Sequence, residues 1–137
     1  MMDIFRTSIK PLSGTSYSEI YPKALGIYKH IASKTKRRPY LRSAYFGKNK
    51  VFLDYFWEHM RQKNLRDRAR RLMYYPCALD LIQNSRISPE SKVNPNRKSE
   101  MLHRFTGMTT TNKIFHIQVK GNTKNNQKHL ISVFPDE

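Results

Sequence analysis

The sequence predicts an α+β fold with its helices in the N-terminal part and a small antiparallel sheet at the C-terminal end. Three observations lead there. Apolar residues recur at helical spacing in several segments before residue 84, the period changes to two beyond residue 100, and turn-forming residues separate the later segments. The chain has 137 residues, the length of one domain of ordinary size. Hydrophobic residues make up 38% and aromatics 12%, enough to bury a core in some segments while others stay solvated.

Residues 1–38 read as a helical arm closed by a basic linker. Pro22 is placed to open a helix, along which Leu25, Tyr28 and Ala32 recur with Ala24, Ile27 and Ile31 one position behind. Gly26 weakens its interior, so the helix needs a docking partner. Lys34, Lys36, Arg37 and Arg38 then precede Pro39, a charge run before a residue that resists helix continuation.

Residues 39–137 read as the main domain: a helical part over 45–84, a mobile loop over 85–99 and a β-meander over 101–135. From Lys50 to Met60 apolar residues fill most positions and Asp54, Glu58 and His59 interrupt at helical intervals, which predicts a largely buried helix; Val51 to Leu53 also suits a strand. Between Arg61 and Arg71 the basic residues Arg61, Lys63, Arg66, Arg68, Arg70 and Arg71 surround a stripe of Leu65, Ala69 and Leu72, a basic amphipathic helix. Asp67 can pair with Lys63 and with Arg71 at i,i+4, so part of that charge braces the helix. Pro76 opens a short apolar helix that should end near Asn84. The three strands expected are Met101 to Thr106, Ile114 to Lys120 and His129 to Phe134.

Twenty-six Lys and Arg against ten Asp and Glu leave +16, which excludes an acidic-surface fold and makes a polyanion the first partner to test. No stretch approaches the roughly 20 apolar residues of a bilayer-spanning helix and no signal-peptide core is present, so a cytoplasmic location without membrane contact is expected. Cys77 is a lone cysteine, read as a small core residue. No P-loop, dinucleotide fingerprint, HExxH or nucleophile elbow occurs.

In the middle strand Phe115, Ile117 and Val119 share one face, and His116, Gln118 and Lys120 the other. Phe105 is the natural core residue of the first strand, which sends Arg104 and Thr106 to the opposite face. In the last strand Ile131 and Val133 are the expected core side, opposite Ser132. The segment from Met101 to Pro135 contains no Asp or Glu, which excludes a carboxylate metal centre or a glutamate base supplied by these strands. His103, His116 and His129 match no compact ligand spacing, so neither metal nor cofactor is expected.

A sheet face of His, Arg, Lys, Gln and Ser suits metal-free RNA cleavage. A base removes the 2′-hydroxyl proton, the oxygen attacks phosphorus, cations stabilise the phosphorane, and an acid protonates the 5′-oxygen. Histidine serves either proton role near neutral pH. The same face would also serve passive RNA binding.

The runs Leu102-His103-Arg104-Phe105-Thr106-Gly107, Ile114-Phe115-His116-Ile117-Gln118-Val119-Lys120 and Ile131-Ser132-Val133-Phe134-Pro135, with Tyr45-Phe46-Gly47 and residues 70–82 upstream, resemble phage-associated nuclease domains of the barnase, EndoU, colicin and RelE-like fold (BECR). The resemblance covers about residues 40–135. It implies helices packed on one face of a small antiparallel sheet, RNA across the other, and metal-independent endoribonuclease activity. Families in this group are often toxins of mobile elements or toxin systems, countered by an antitoxin or immunity protein. Unlike barnase-like members, this chain has no carboxylate base in its strands.

The first reading is therefore an endoribonuclease. Arg104 and Lys120 would hold the scissile phosphate and His103 or His116 would move protons. Gln118 and Ser132 would orient the substrate, with Thr106 beside them, while Lys63, Arg66 and Arg70 of the basic helix hold the RNA backbone. The second is a non-catalytic nucleic-acid-binding accessory protein, with Tyr45 and Phe46 stacking on bases. The third is a basic surface that meets an acidic protein such as an antitoxin.

Overall fold

The computed structural model describes residues 4–136, within which four helices and seven strands form. Helix α1 (Tyr17–Lys34) starts five residues before Pro22. Ser16 takes an extended N-cap conformation, and the Glu19 carboxylate accepts from the Ser16 and Thr15 hydroxyls at 3.2 and 3.1 Å. That turn nucleates the helix upstream, and the proline costs it a single backbone donor. Ile20 and Ala24 of α1 enter the core, so the arm docks on the rest of the chain.

Strand β1 (Phe5–Arg6) precedes α1; β2 (Tyr40–Arg42) and β3 (Lys50–Phe52) follow it. Lys50–Met60 thus splits into a strand and the shorter helix α2 (Asp54–Met60), because Val51 completes a ladder with β7 before the helix begins. Helix α3 (Leu65–Leu72) is capped by Asn64, whose side chain accepts from the Asp67 amide at 2.8 Å. Lys63 therefore lies outside the helix and does not form the expected i,i+4 pair. Helix α4 (Tyr75–Asn84) carries Pro76 in its first turn, as expected, and buries Cys77, Ala78, Leu81 and Ile82.

The segment read as a mobile loop is a hairpin. Strand β4 (Glu90–Asn94) turns at Pro95 onto β5 (Arg97–Met108), with the Asn96 amide held by the Asn94 side chain at 3.0 Å. Its residues face water on most sides, so no apolar periodicity marks it. Strands β6 (Ile114–Asn122) and β7 (Lys128–Pro135) complete the expected antiparallel meander.

The sheet is larger than the small antiparallel one expected. Its strand order is β1-β5-β6-β7-β3-β2, with β4 also on β5. Both β1–β5 and β3–β7 are parallel, and the helices are interleaved with strands rather than gathered at the N-terminus. The extra strands are two to five residues long, too short for an alternating pattern to show in the sequence.

Phe105, Phe115, Ile117, Val119, Leu130 and Val133 bury on one face, together with Tyr75 and Leu81 of α4. Gly107 lies where that packing is tightest: a Cβ there would come within 2.4 Å of the Phe115 ring and 3.1 Å of Leu81. On β7 the expected parity fails. Gln118 pairs with Ser132 but Val119 pairs with Leu130, so Ile131 is a bulged extra residue. The bulge puts Leu130 and Val133 together in the core, instead of Ile131 and Val133.

Candidate functional site

The bulge gives β7 a polar face that matches those of its neighbours. Arg104 is opposite Gln118, Thr106 opposite His116, Gln118 opposite Ser132, and His116 opposite Phe134. Arg104, Thr106, His116, Gln118 and Ser132 thus share one side of the sheet, as expected. Helix α3 lies along β7 and sends Arg71 onto this face, where it donates to the Ser132 hydroxyl at 3.0 Å and to Asp67 at 3.1 Å. Ser132 is therefore a support for a guanidinium rather than an available hydroxyl. Arg71 and Arg104 both lie against the Phe134 ring, at 5.7 and 5.6 Å from its centre.

A groove of about 410 Å³ opens between α3 and this face, lined by Arg70, Arg71, Arg104, His116 and Phe134. A depression of about 340 Å³ adjoins it, sharing Arg104 and Phe134 and adding Gln118 and Lys92. Three guanidiniums around one groove can accommodate an anion, because each planar fork can bind two oxygens of a phosphate or carboxylate. Arg70 and Arg71 are partly balanced by Asp67, at 4.0 and 3.1 Å, while Arg104 is exposed.

His116 is 8% exposed and both ring nitrogens are engaged. Nδ1 is 3.0 Å from the Thr106 hydroxyl and Nε2 is 2.7 Å from Asp136 Oδ1. The expectation of a carboxylate-free site is corrected here. Asp136 follows the last strand by one residue and folds back onto His116, its amide donating to the Ile114 carbonyl at 3.0 Å. Glu100, one residue before the carboxylate-free segment 101–135, is 3.5 Å from Lys120.

The other predicted residues are dispersed. His103 points to the opposite face of β5, where its Nδ1 meets the Ser91 hydroxyl at 2.7 Å and its ring packs on Phe46 at 5.0 Å. Burial, then nearby Lys128, holds its pKa below the ordinary imidazole value. It cannot act with His116 on one phosphate. Lys120 shares the polar face but lies toward its other end, bound to Glu100 and over the Tyr55 ring at 5.3 Å. There His129 stacks on Tyr55 at 4.3 Å and approaches Arg38, which forms a bidentate pair with Asp54. Burial and then Arg38 and Lys120 lower the His129 pKa. Arg66 sits in the first turn of α3 and Lys63 just before its N-cap, both outside the groove lining.

Tyr45 and Phe46, expected to stack on bases, pack edge-on against Phe105 at 5.7 and 5.9 Å. Cys77 is buried, its thiol donates to the Ile9 carbonyl at 3.3 Å, and burial pushes its pKa up to about 11, as suits an inert core residue. No group of three or more metal-ligating side chains occurs among the described residues, and no helix there is long and apolar enough to cross a membrane.

Arg71, Phe134 and Asp136 are the site residues that strand reasoning missed. Arg71 belongs to the basic helix already singled out, but its reach onto the sheet depends on tertiary packing. Compared with known protein families, with curated protein sequences and with solved structures, the chain gives no match.

Proposed function

We propose that the chain is a metal-independent endoribonuclease that cleaves RNA by attack of the 2′-oxygen on its own phosphate. The observation that carries this reading is the convergence of Arg70, Arg71 and Arg104 with the His116–Asp136 pair in one groove. The arginines bind the phosphodiester and stabilise the charge that grows on the phosphorane. Asp136, with its side chain 53% exposed, accepts the 2′-hydroxyl proton. The new O2′–P bond displaces the 5′-oxygen, which takes the Nε2 proton of the His116 imidazolium. One proton is taken and one given, and exchange between the paired groups resets them. Thr106 fixes the ring through Nδ1, and Ser132 and Gln118 hold Arg71 and the neighbouring part of the substrate. The resemblance to BECR-fold nucleases points the same way and suggests a toxin of a mobile element, with an acidic antitoxin or immunity protein as its covering partner.

Purified protein in EDTA is expected to cut mixed RNA into fragments ending in a 2′,3′-cyclic phosphate. RNA that stays intact at every pH between 5 and 9 overturns the proposal. One observation favours the second reading, a non-catalytic RNA-binding protein: both nitrogens of His116 already have partners. Salt-sensitive retention of RNA with no product would select it.

A further inference from the structure

A second cavity, of about 470 Å³, lies between α1 and α2 on the far flank of α3. Its walls are aromatic: Tyr17, Tyr21, Tyr28 and Trp57 are all only partly buried and leave open volume between them. Tyr17 and Tyr21 lie 5.0 Å apart, Tyr21 meets Trp57 edge-on at 6.1 Å, and Tyr28 meets Trp57 at 5.3 Å. Beneath the cluster Trp57 meets the buried Tyr75 at 5.3 Å, and Trp57 Nε1 and the Tyr75 hydroxyl, both buried, interact only weakly with each other.

The charged rim narrows the ligand class. Asp54 is taken by Arg38, which leaves Glu58 as the exposed carboxylate. Arg61 and Arg68 are the rim cations. Arg68 is tied to the carbonyls of Lys63 and Arg61 at 2.8 Å each and lies over the Tyr17 ring at 5.7 Å, a cation held in place. An organic cation would suit the rings but would be repelled by these guanidiniums and by a net charge of +16. A nucleotide suits all parts: the π-face of its base can meet the rings, the base's N–H edge Glu58, and its phosphate Arg61 or Arg68. Helix α3 presents Arg68 to this cavity and Arg70 and Arg71 to the groove, so the two open on different flanks of one short helix.

We infer that this cleft is a base-stacking subsite in which a nucleotide flanking the scissile phosphate is held, an inference that rests on RNA being the ligand. Trp57 is the only tryptophan, so its emission reports on this cleft alone. The probe is a labelled 2′-O-methyl purine oligonucleotide of about eight residues, long enough for a single-strand site and unable to undergo 2′-oxygen attack. Probe anisotropy and Trp57 quenching are expected to saturate together. Tyr21→Ala should weaken binding roughly 5- to 150-fold, the range of one lost base–aromatic stack, while Tyr21→Phe keeps it. Probe that binds by anisotropy while wild-type Trp57 emission stays flat overturns the cleft and leaves RNA binding standing, and this measurement needs no variant to fold. Quenching that a folded Tyr21→Ala protein retains at the same affinity also overturns it. No anisotropy change at low salt removes RNA as the ligand, and the cleft assignment with it.

Discussion

His103 and His116 sit on neighbouring strands, three positions apart in pairing, yet on opposite faces of the sheet. His103 lies against Phe46 and Lys128 on the face that carries the core; His116 lies in a groove with three arginines and the carboxylates of Asp67 and Asp136. The difference arises from parity: one residue of offset along a strand reverses the side chain's direction. One imidazole therefore packs on an aromatic ring on the core face, and the other faces the groove, held between Thr106 and Asp136.

The strongest way to break this contrast is to remove each histidine and measure RNA cleavage in EDTA. His116→Ala and Arg104→Ala are expected to lower the rate by about 100-fold or more, the usual scale of a lost proton-transfer or charge-stabilising group. His103→Ala should stay within about threefold, because His103 lies outside the groove, on the opposite face of the sheet. Equal losses at both histidines would end the assignment of faces.

Stability should show the reverse pattern. Gly107→Ala on the covered face drives a methyl into Phe115 and should cost about 1–3 kcal/mol, read as a lower denaturation midpoint. Gln118→Ala on the polar face should change stability by less than about 0.5 kcal/mol. A Gly107→Ala protein as stable as the wild type would mean that the core face is looser than its packing indicates.

The pH dependence sharpens the comparison further. His103 and His129 are held below 6.5, chiefly by burial, so the folded chain keeps them neutral where the unfolded chain protonates them. The unfolded state then binds more protons, and stability falls as pH drops through 6.5 toward the lowered values, levelling below them. The melting temperature should decline between about pH 7.5 and 5.5, and His103→Gln should flatten part of that decline. A profile unchanged by that substitution would exclude His103 as a source.

The smallest effect concerns α3. If exposed Arg66 neutralises one phosphate of the bound strand, Arg66→Ala should reduce the slope of log affinity against log salt by about 0.7. An unchanged slope would place the RNA path away from the start of α3, nearer Arg70 and Arg71.

Much of the site could be read before the fold was known. The alternation of His116, Gln118 and Lys120 against Phe115, Ile117 and Val119 needs only the pleat, and Arg104 and Thr106 follow from Phe105. Ser132 also fell on the expected face, but by a different route, since the bulge at Ile131 reverses the parity on one side of it. His103 was misassigned because a histidine beside Arg104 looks equally chemical until the strand's facing is known. Glu100 and Asp136 escape a strand-by-strand reading because each lies one residue beyond the carboxylate-free segment 101–135, and a strand's neighbours in space are not bounded by its ends. The hairpin of β4 was unreadable because a solvent-facing strand carries no hydrophobic alternation.

Composition and local pattern alone determined the basic character, the helical segments α1, α3 and α4, the meander and its polar face, because charge, period and turn chemistry act over a few residues. Tertiary structure decided which cations share the groove, that Arg71 rests on Ser132, that Asp136 returns to His116, and that short parallel strands widen the sheet. Those contacts join residues as many as 102 apart in the chain, and their free energy depends on mutual packing that no short window of sequence contains.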